Sequence, residues 1–356
     1  MNILIAPDSY KGTLTAMQVA DTIEAVITKC TNHNVTALPF SDGGEGFGDA
    51  FESICGAKKL FTKCHDVYGR QTDGYIFVFD DTAVIECAVA SGLQKQKRIM
   101  QSTSYGTGEL IKFAYDNDFR KIILGLGGTG CCDGGAGALV ALGAKIYDEN
   151  QSIIKMPKSS DLNYIFGLST RDCPKDIEIT YACDVENEYY GKNGAAYVFA
   201  PQKGANKTQV AELDEGLQRL NAFFKNDISK VKGAGAAGGI CGGLYSVFGG
   251  EIKSGFDILA QYCNLEEKIK NADIIITGEG KTDEQTLMGK LPYKIYELCK
   301  KHNKRCVVIS GCIETDKVGD IAIPLADKET TVDEAIGNAR TVLAKKVENS
   351  LEKILK

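Results

Sequence analysis

Tryptophan is absent from this chain, and its 356 residues include only seven prolines and three histidines. So few prolines exclude a proline-rich stalk or linker, and no Gly-X-Y period is present, so the chain is not collagen-like. His33, His65 and His302 lie far apart in the chain, which leaves no credible Ser-His-Asp or Cys-His arrangement for nucleophilic catalysis. A zinc pattern is missing too: Cys131 and Cys132 are adjacent, and no Cys-x-x-Cys occurs. No run of five or more basic residues appears, and the net charge is −6. The electrostatic footprint of a nucleic-acid-binding protein is therefore lacking. No apolar stretch approaches the ~18 residues of a membrane span. The opening Met1-Asn2-Ile3-Leu4-Ile5-Ala6-Pro7-Asp8 has no basic region and soon meets an acid, unlike a signal peptide. These absences predict a cytoplasmic protein that engages neither membrane nor nucleic acid. The thirteen cysteines, an odd number, are then expected to be core residues or free thiols in a reducing compartment.

What is present is a globular composition, 44% apolar and 25% charged, in a length that suits two domains. Glycine is in excess, at 39 residues, where an average chain would have about 7%. Such a chain turns tightly or approaches something closely at many points.

The patterning is that of an α/β protein. A short apolar run, Ile3 to Ala6, precedes a helical face of Ala16, Val19, Ala20, Ile23, Val26 and Ile27, and Thr15 with Gln18 forms a capping box at its start. A second run, Val35 to Phe40, leads into Asp42-Gly43-Gly44-Glu45-Gly46. Three closely spaced β-like runs follow, at 61–67, 74–79 and 83–87. A helix is predicted over 107–118, a strand over 121–124, a helix over 135–143, a strand over 177–183 and a helix over 208–225, with 149–176 read as loop. From about 232 the strand–helix rhythm returns. Thr331 with Glu334 is read as the cap of a single last helix. The simplest assembly is a Rossmann-like parallel α/β domain made from residues 1–64 and 232–356, interrupted by an inserted mixed α/β domain at 65–231. The active site is expected in a cleft between them.

Chemistry-bearing residues gather where strands should end, the place where open α/β sheets bind ligands. Residues 125–137, Gly-Leu-Gly-Gly-Thr-Gly-Cys-Cys-Asp-Gly-Gly-Ala-Gly, join a predicted strand to a predicted helix. Successive N–H groups there could cradle an anion, although a tight turn alone would also explain glycine. Gly125, Gly127 and Gly130 spell G-x-G-x-x-G, as do Gly233, Gly235 and Gly238, and Asp148 follows the first at a suitable distance. An NAD-dependent hydroxy-acid dehydrogenase thus stays open. Gly280-Lys281-Thr282 ends like a Walker A motif, but Ile275 stands where the earlier glycine is required. His-Arg-Asp and Asp-Phe-Gly are both absent, so the chain is not of the protein-kinase type. Carboxylates recur at strand ends: Asp8, Asp42 with Glu45, Asp184, and Glu279 with Asp283. Each alone reads as a cap or turn former; together they suit a Mg²⁺ held with substrate phosphates, or a base for an attacking hydroxyl. Lys11, Lys203 and Lys290 lie beside glycines and could neutralise an acid or a polyphosphate. Thr107 is read as a helix cap and Ser104 as a ligand contact. The residues point to phosphoryl transfer onto an unnamed acceptor, with the dehydrogenase and a non-catalytic small-acid binder as alternatives.

At this point a resemblance becomes specific. Ala6-Pro7-Asp8-Ser9-Tyr10-Lys11-Gly12, Asp42-Gly43-Gly44-Glu45-Gly46, Ser104-Tyr105-Gly106-Thr107-Gly108-Glu109-Leu110, Asp133-Gly134-Gly135-Ala136-Gly137, Pro201-Gln202-Lys203-Gly204-Ala205 and Gly233-Ala234-Gly235-Ala236-Ala237-Gly238-Gly239 follow one another along the chain. Thr277-Gly278-Glu279-Gly280, Asp283, Gln285-Thr286 and Gly289-Lys290 complete the series. In this order they resemble the type I glycerate kinases. Cys132 replaces the usual Asn before Asp133, and Glu188 replaces a Pro in Asn187-Glu188-Tyr189-Tyr190-Gly191. The resemblance implies ATP- and Mg²⁺-dependent phosphorylation of D-glycerate, with 2-phosphoglycerate favoured over 3-phosphoglycerate, and supports the two-domain division. On this basis Asp42, Asp184 and Lys11 are the expected catalytic residues. Asp8, Ser9, Lys11, Glu45, Ser104 and Lys203 are expected to bind substrate. Gly127, Gly128, Gly134, Gly135, Gly238, Gly239 and Lys290 are expected to bind the nucleotide, and Glu279 and Asp283 the metal. Glycerate and ATP are the expected partners, and a homodimer is an open arrangement.

Overall fold

The computed structural model describes residues 1–41, 44 and 46–356. The expected site residues Asp42 and Glu45 lie outside the described residues. The chain divides into two compact units, one of Met1–Asp42, Ser53–Cys55 and Phe256–Lys356, the other of Gly43–Glu52 and Gly56–Gly255.

The first unit is built on a five-stranded, wholly parallel sheet. Its strands lie in the order Ile321–Pro324, Arg305–Ser310, Ile274–Thr277, Asn2–Ile5, Asn34–Ala37. Ile274, Ile275 and Ile276 are all buried, as are Val307, Val308 and Ile309. Such unbroken apolar strands are those of a sheet covered on both faces. The helix Ala16–Cys30 begins with the capping box read from the sequence. The Gln18 N–H donates to Thr15 Oγ1 at 3.2 Å and the Thr15 N–H to Gln18 Oε1 at 3.0 Å. Its face of Val19, Ala20, Ile23 and Ile27 joins a core with Leu343 and Val347 from the helix Ala339–Leu355. Thr331 does cap a helix, but a short one, Val332–Gly337, and the chain breaks at Asn338 before the last helix starts.

The second unit carries a six-stranded mixed sheet in the order Glu251–Lys253, Glu178–Ala182, Lys121–Gly125, Thr82–Glu86, Gln71–Phe79, Lys58–His65. The first four strands are parallel and the last two join antiparallel. Helices Tyr105–Asp116, Ala136–Ala141 and Ile240–Phe248 pack on this sheet through Leu110, Leu139 and Leu244. The stretch read as loop contains the short strand Gly167–Ser169, which pairs antiparallel with Lys145–Tyr147 just before that stretch.

Both sequence boundaries between the domains shift for the same reason. Lys58–His65 pairs along its whole length with Gln71–Phe79, and Glu251–Lys253 pairs with Glu178–Ala182. Residues 58–65 and 232–255 therefore belong to the unit of the mixed sheet, not to that of the parallel one. A strand–helix rhythm tells what elements are, not which sheet they join. Among the described residues no helix is long and apolar enough to cross a membrane.

Candidate active site

In the first unit, strand order reverses between Asn2–Ile5 and Ile274–Thr277. The second strand in sequence lies on one side of the first, and the later strands lie on the other. The carboxyl ends of these two strands thus flank the crevice at which such sheets bind ligands. They are stitched together there: the Ala6 N–H donates to the Ile276 carbonyl at 2.7 Å and the Asp8 N–H to the Gly278 carbonyl at 2.8 Å. Asp8 and Glu279 consequently stand on neighbouring loops. Asp8 Oδ1 accepts the Ser9 N–H at 2.6 Å. Lys11 is exposed on the turn that Tyr10 and Leu14 close. Gly278 is glycine by necessity, since a Cβ there would stand 1.6 Å from the Ile309 carbonyl oxygen.

A compact polar cluster occupies residues 279–290. Glu279 is buried, and its N–H donates to Ser310 Oγ at 3.1 Å. Thr286, itself fully buried, donates its hydroxyl to Glu279 Oε1 at 2.6 Å and accepts the Asp283 N–H at 3.0 Å. Lys290 Nζ lies 3.6 Å from Glu279 Oε2, and Lys281 Nζ lies 3.6 Å from Asp283 Oδ2. Burial pushes the Glu279 carboxyl above its ordinary range, against the pull of the Thr286 hydroxyl and the Lys290 ammonium. Burial also pushes Asp283 up, but the Gln285 N–H and the Lys290 and Lys281 ammonium groups outweigh it and hold Asp283 below its ordinary value. The expected metal-binding pair, Glu279 and Asp283, is thus brought together with the expected phosphate-binding Lys290. Two hard carboxylates fit Mg²⁺, which takes one or two protein carboxylates and fills its other positions with water and phosphate oxygens. No group of three or more His, Cys, Asp or Glu able to hold a metal occurs among the described residues.

In the second unit, Gly127 and Gly128 follow the strand Lys121–Gly125 after Leu126. Gly128 is exposed, has φ of +71°, and offers its carbonyl to the Leu93 N–H at 2.9 Å. Lys203 is only 4% exposed. Its ammonium donates to the Cys131 carbonyl at 2.7 Å and to Thr129 Oγ1 at 3.3 Å, and no ion pair to it is found among the described residues. A buried ammonium is costly without a counter-charge, and Lys203 is an expected substrate-binding lysine. Asp184, exposed at the end of Glu178–Ala182, accepts the Gly255 N–H at 3.4 Å.

The remaining glycines of the expected phosphate cradle face inward. The N–H groups of Gly135 and Gly137 are taken by the Asp133 carboxylate, at 3.2 and 3.1 Å, and the Gly134 N–H donates to the Gly238 carbonyl at 3.0 Å. Gly134, Gly135, Gly238 and Gly239 are all buried. A Cβ on Gly239 would lie 2.8 Å from Gly134 Cα, and one on Gly238 would lie 2.1 Å from the Cys131 carbonyl oxygen. These four glycines let two backbones touch, and of the expected cradle only Gly127 and Gly128 lie outside that contact. Ser104 is likewise used internally. Fully buried, it donates its hydroxyl to Asp133 Oδ2 at 2.8 Å and accepts the Ala138 N–H at 2.9 Å. Thr107 does not cap the helix Tyr105–Asp116 either; its hydroxyl lies 2.7 Å from Ser91 Oγ inside the unit.

Sequence reading missed Glu86. It ends the strand Thr82–Glu86 and accepts the Gly48 N–H at 2.8 Å, at the start of the helix Phe47–Cys55. Its burial raises its pKa. An acid terminating an apolar run was the available signal. Thr286 was noticed only as part of a motif, and a hydroxyl three residues after Asp283 was its signal.

The fold and the clustered acids and lysines describe an α/β enzyme that handles anions. A profile of the glycerate kinase family matches residues 3–355. Glycerate 2-kinase of Escherichia coli K12 is 38% identical over 368 residues, spanning 95% of this chain and 94% of that protein. Glycerate kinase of Bacillus cereus is 36% identical, spanning 94% and 93%. A crystal structure provisionally assigned as glycerate kinase 2 of Salmonella typhimurium LT2 matches with a TM-score of 0.88 at 32% identity, covering 100% of this chain and 98% of that one. The chain belongs to the glycerate kinase family. It is a kinase that phosphorylates an alcohol group, and membership implies the use of ATP. The dehydrogenase and the non-catalytic binder are thereby set aside.

Proposed function

We propose that the protein transfers the γ-phosphoryl group of ATP to the 2-hydroxyl of D-glycerate, with Mg²⁺, in the cytoplasm. The observation that carries this reading is the cluster of Glu279, Asp283, Thr286 and Lys290 at the carboxyl ends of the parallel strands, in a chain of this family. Choice of the 2-hydroxyl is supported by the family resemblance and by the name of the Escherichia coli relative. In this reading Asp283 and Glu279 hold the cation, which neutralises phosphate charge when bound. Lys290 in the first unit, and the N–H groups of Gly127 and Gly128 in the second, are candidate phosphate contacts, each within its own unit. Asp8, Ser9, Lys11, Glu45 and Lys203 are candidate substrate contacts, each within its own unit, and the buried Lys203 ammonium suits a carboxylate. Asp42 or Asp184 orients the attacking hydroxyl and takes its proton.

A coupled ADP-release assay over a panel of small hydroxy acids tests the reading, with the product identified by NMR. Expected is ADP release that requires both Mg²⁺ and glycerate, with phosphorus on C2. A C3 product would overturn the regiochemistry, and turnover of another acid in preference to glycerate would overturn the substrate.

A further inference from the structure

Thr286 is placed to do more than fill space. Its hydroxyl has one proton, and that proton goes to Glu279 Oε1 at 2.6 Å. Thr286 Oγ1 in turn accepts the Asp283 N–H at 3.0 Å. Its carbonyl accepts the Gly289 N–H at 3.2 Å and the Lys290 N–H at 3.1 Å, and its own N–H donates to the Asp283 carbonyl at 2.9 Å. One fully buried residue is thus bonded to the side chain of Glu279 and to the backbone of Asp283 and Lys290, the three residues assigned above to the cation and the phosphates. With Oε1 engaged, the other oxygen of Glu279 is the one turned to Lys290, at 3.6 Å. That distance exceeds a hydrogen bond, so the ammonium neutralises Glu279 without being locked to it.

We infer that Thr286 is a positioning residue for metal–nucleotide binding: it fixes the rotamer of Glu279 and the backbone of Asp283 so that both carboxylates face one ligand. The inference rests on the proposed roles of Glu279 and Asp283. A buried threonine used only for packing would tolerate valine, which has nearly the same shape. A hydroxyl donating to a carboxylate would not, because hydrogen bonds to charged groups contribute more than neutral ones.

Isothermal titration of the whole protein with ADP, in Mg²⁺ and in EDTA, separates these cases. Thr286→Val is expected to weaken Mg·ADP binding about tenfold, while leaving metal-free ADP and the KM for glycerate within about twofold. Thr286→Ser, which keeps the hydroxyl, restores binding. Thr286→Cys, which keeps the volume with a weak S–H donor, falls between, and it carries the test should the valine protein not fold. Wild-type Mg·ADP affinity in both the Val and Cys proteins, with Glu279→Gln impaired, would overturn the inference and leave the proposed function standing. Wild-type affinity in Glu279→Gln would overturn the metal assignment itself, and the inference with it.

Discussion

Two acids in the second unit place their charge on helix N-termini of their own chain. Asp133 closes the turn before Ala136–Ala141, and Glu86 closes the start of Phe47–Cys55. Unpaired N–H groups and the helix dipole make such ends attractive to anions. This is why glycine-rich turns resemble phosphate sites in a sequence, and why a carboxylate nearby can fill one. Glu86 gives a measurable consequence. Burial raises its folded-state pKa above the ordinary value of 4.5, opposed by the Gly48 N–H and reinforced by Asp49. Between these two values the folded protein binds more protons at this group than the unfolded one. Its contribution is therefore whole below pH 4.5 and is lost as pH rises through the folded value. Glu86→Gln cannot ionise yet can still accept the Gly48 N–H. Thermal melts from about pH 4 to about pH 7 are expected to show the variant gaining on the wild type as pH rises. A gap that stays constant or moves the other way would show that Glu86 is not held against its charge.

At the scale of elements, the sequence was most legible where local chemistry decides. The Thr15–Gln18 capping box and the Ile-rich strands form as read, because caps and apolar periodicity are properties of neighbouring residues. The glycine loops were half legible. Seven glycines in residues 125–137 announce that backbone must pass close to something, but not whether that something is a ligand or another backbone. Gly127 is half-buried and Gly128 exposed at a strand end, whereas Gly134, Gly135, Gly238 and Gly239 lie where distant stretches of backbone pack across the interior. Only the pairing of elements distant in sequence decides which. Gly238 and Gly191 make the contrast testable, since both have positive φ, +68° and +92°. A Cβ on Gly191 meets nothing within 4 Å, so Gly191→Ala is expected to cost about 1 kcal/mol of backbone strain. One on Gly238 would fall 2.1 Å from the Cys131 carbonyl oxygen, and Gly238→Ala is expected to cost about 3 kcal/mol from strain and overpacking together. Urea midpoints of the two variants measure this, and equal losses would mean that the second backbone can move aside.

Across the whole molecule, what could not be read was allegiance. Residues 232–253 carry an α/β pattern that suits either sheet, and the backbone bonds of Glu251–Lys253 to Glu178–Ala182 assign them to the mixed one. Each unit as it stands closes its own apolar core. In the first, Ile3, Ile5, Ile274 and Val307 meet Leu343 and Val347; in the second, Ile85, Ile122 and Leu124 meet Leu110, Leu139 and Leu244. The first core draws on both ends of the chain, while the second is nearly continuous in sequence. Two cores of this kind need not melt together, and two-state behaviour is not the default for a chain so divided. Leu343 and Leu124 are both fully buried, and truncating either to alanine is expected to remove about 2–5 kcal/mol from the core that holds it. Calorimetry of the two variants should show different parts of the wild-type endotherm moving down, the Leu343→Ala protein losing one component and the Leu124→Ala protein the other. An endotherm that stays single and shifts as a whole in both variants would show that the two cores unfold as one cooperative body.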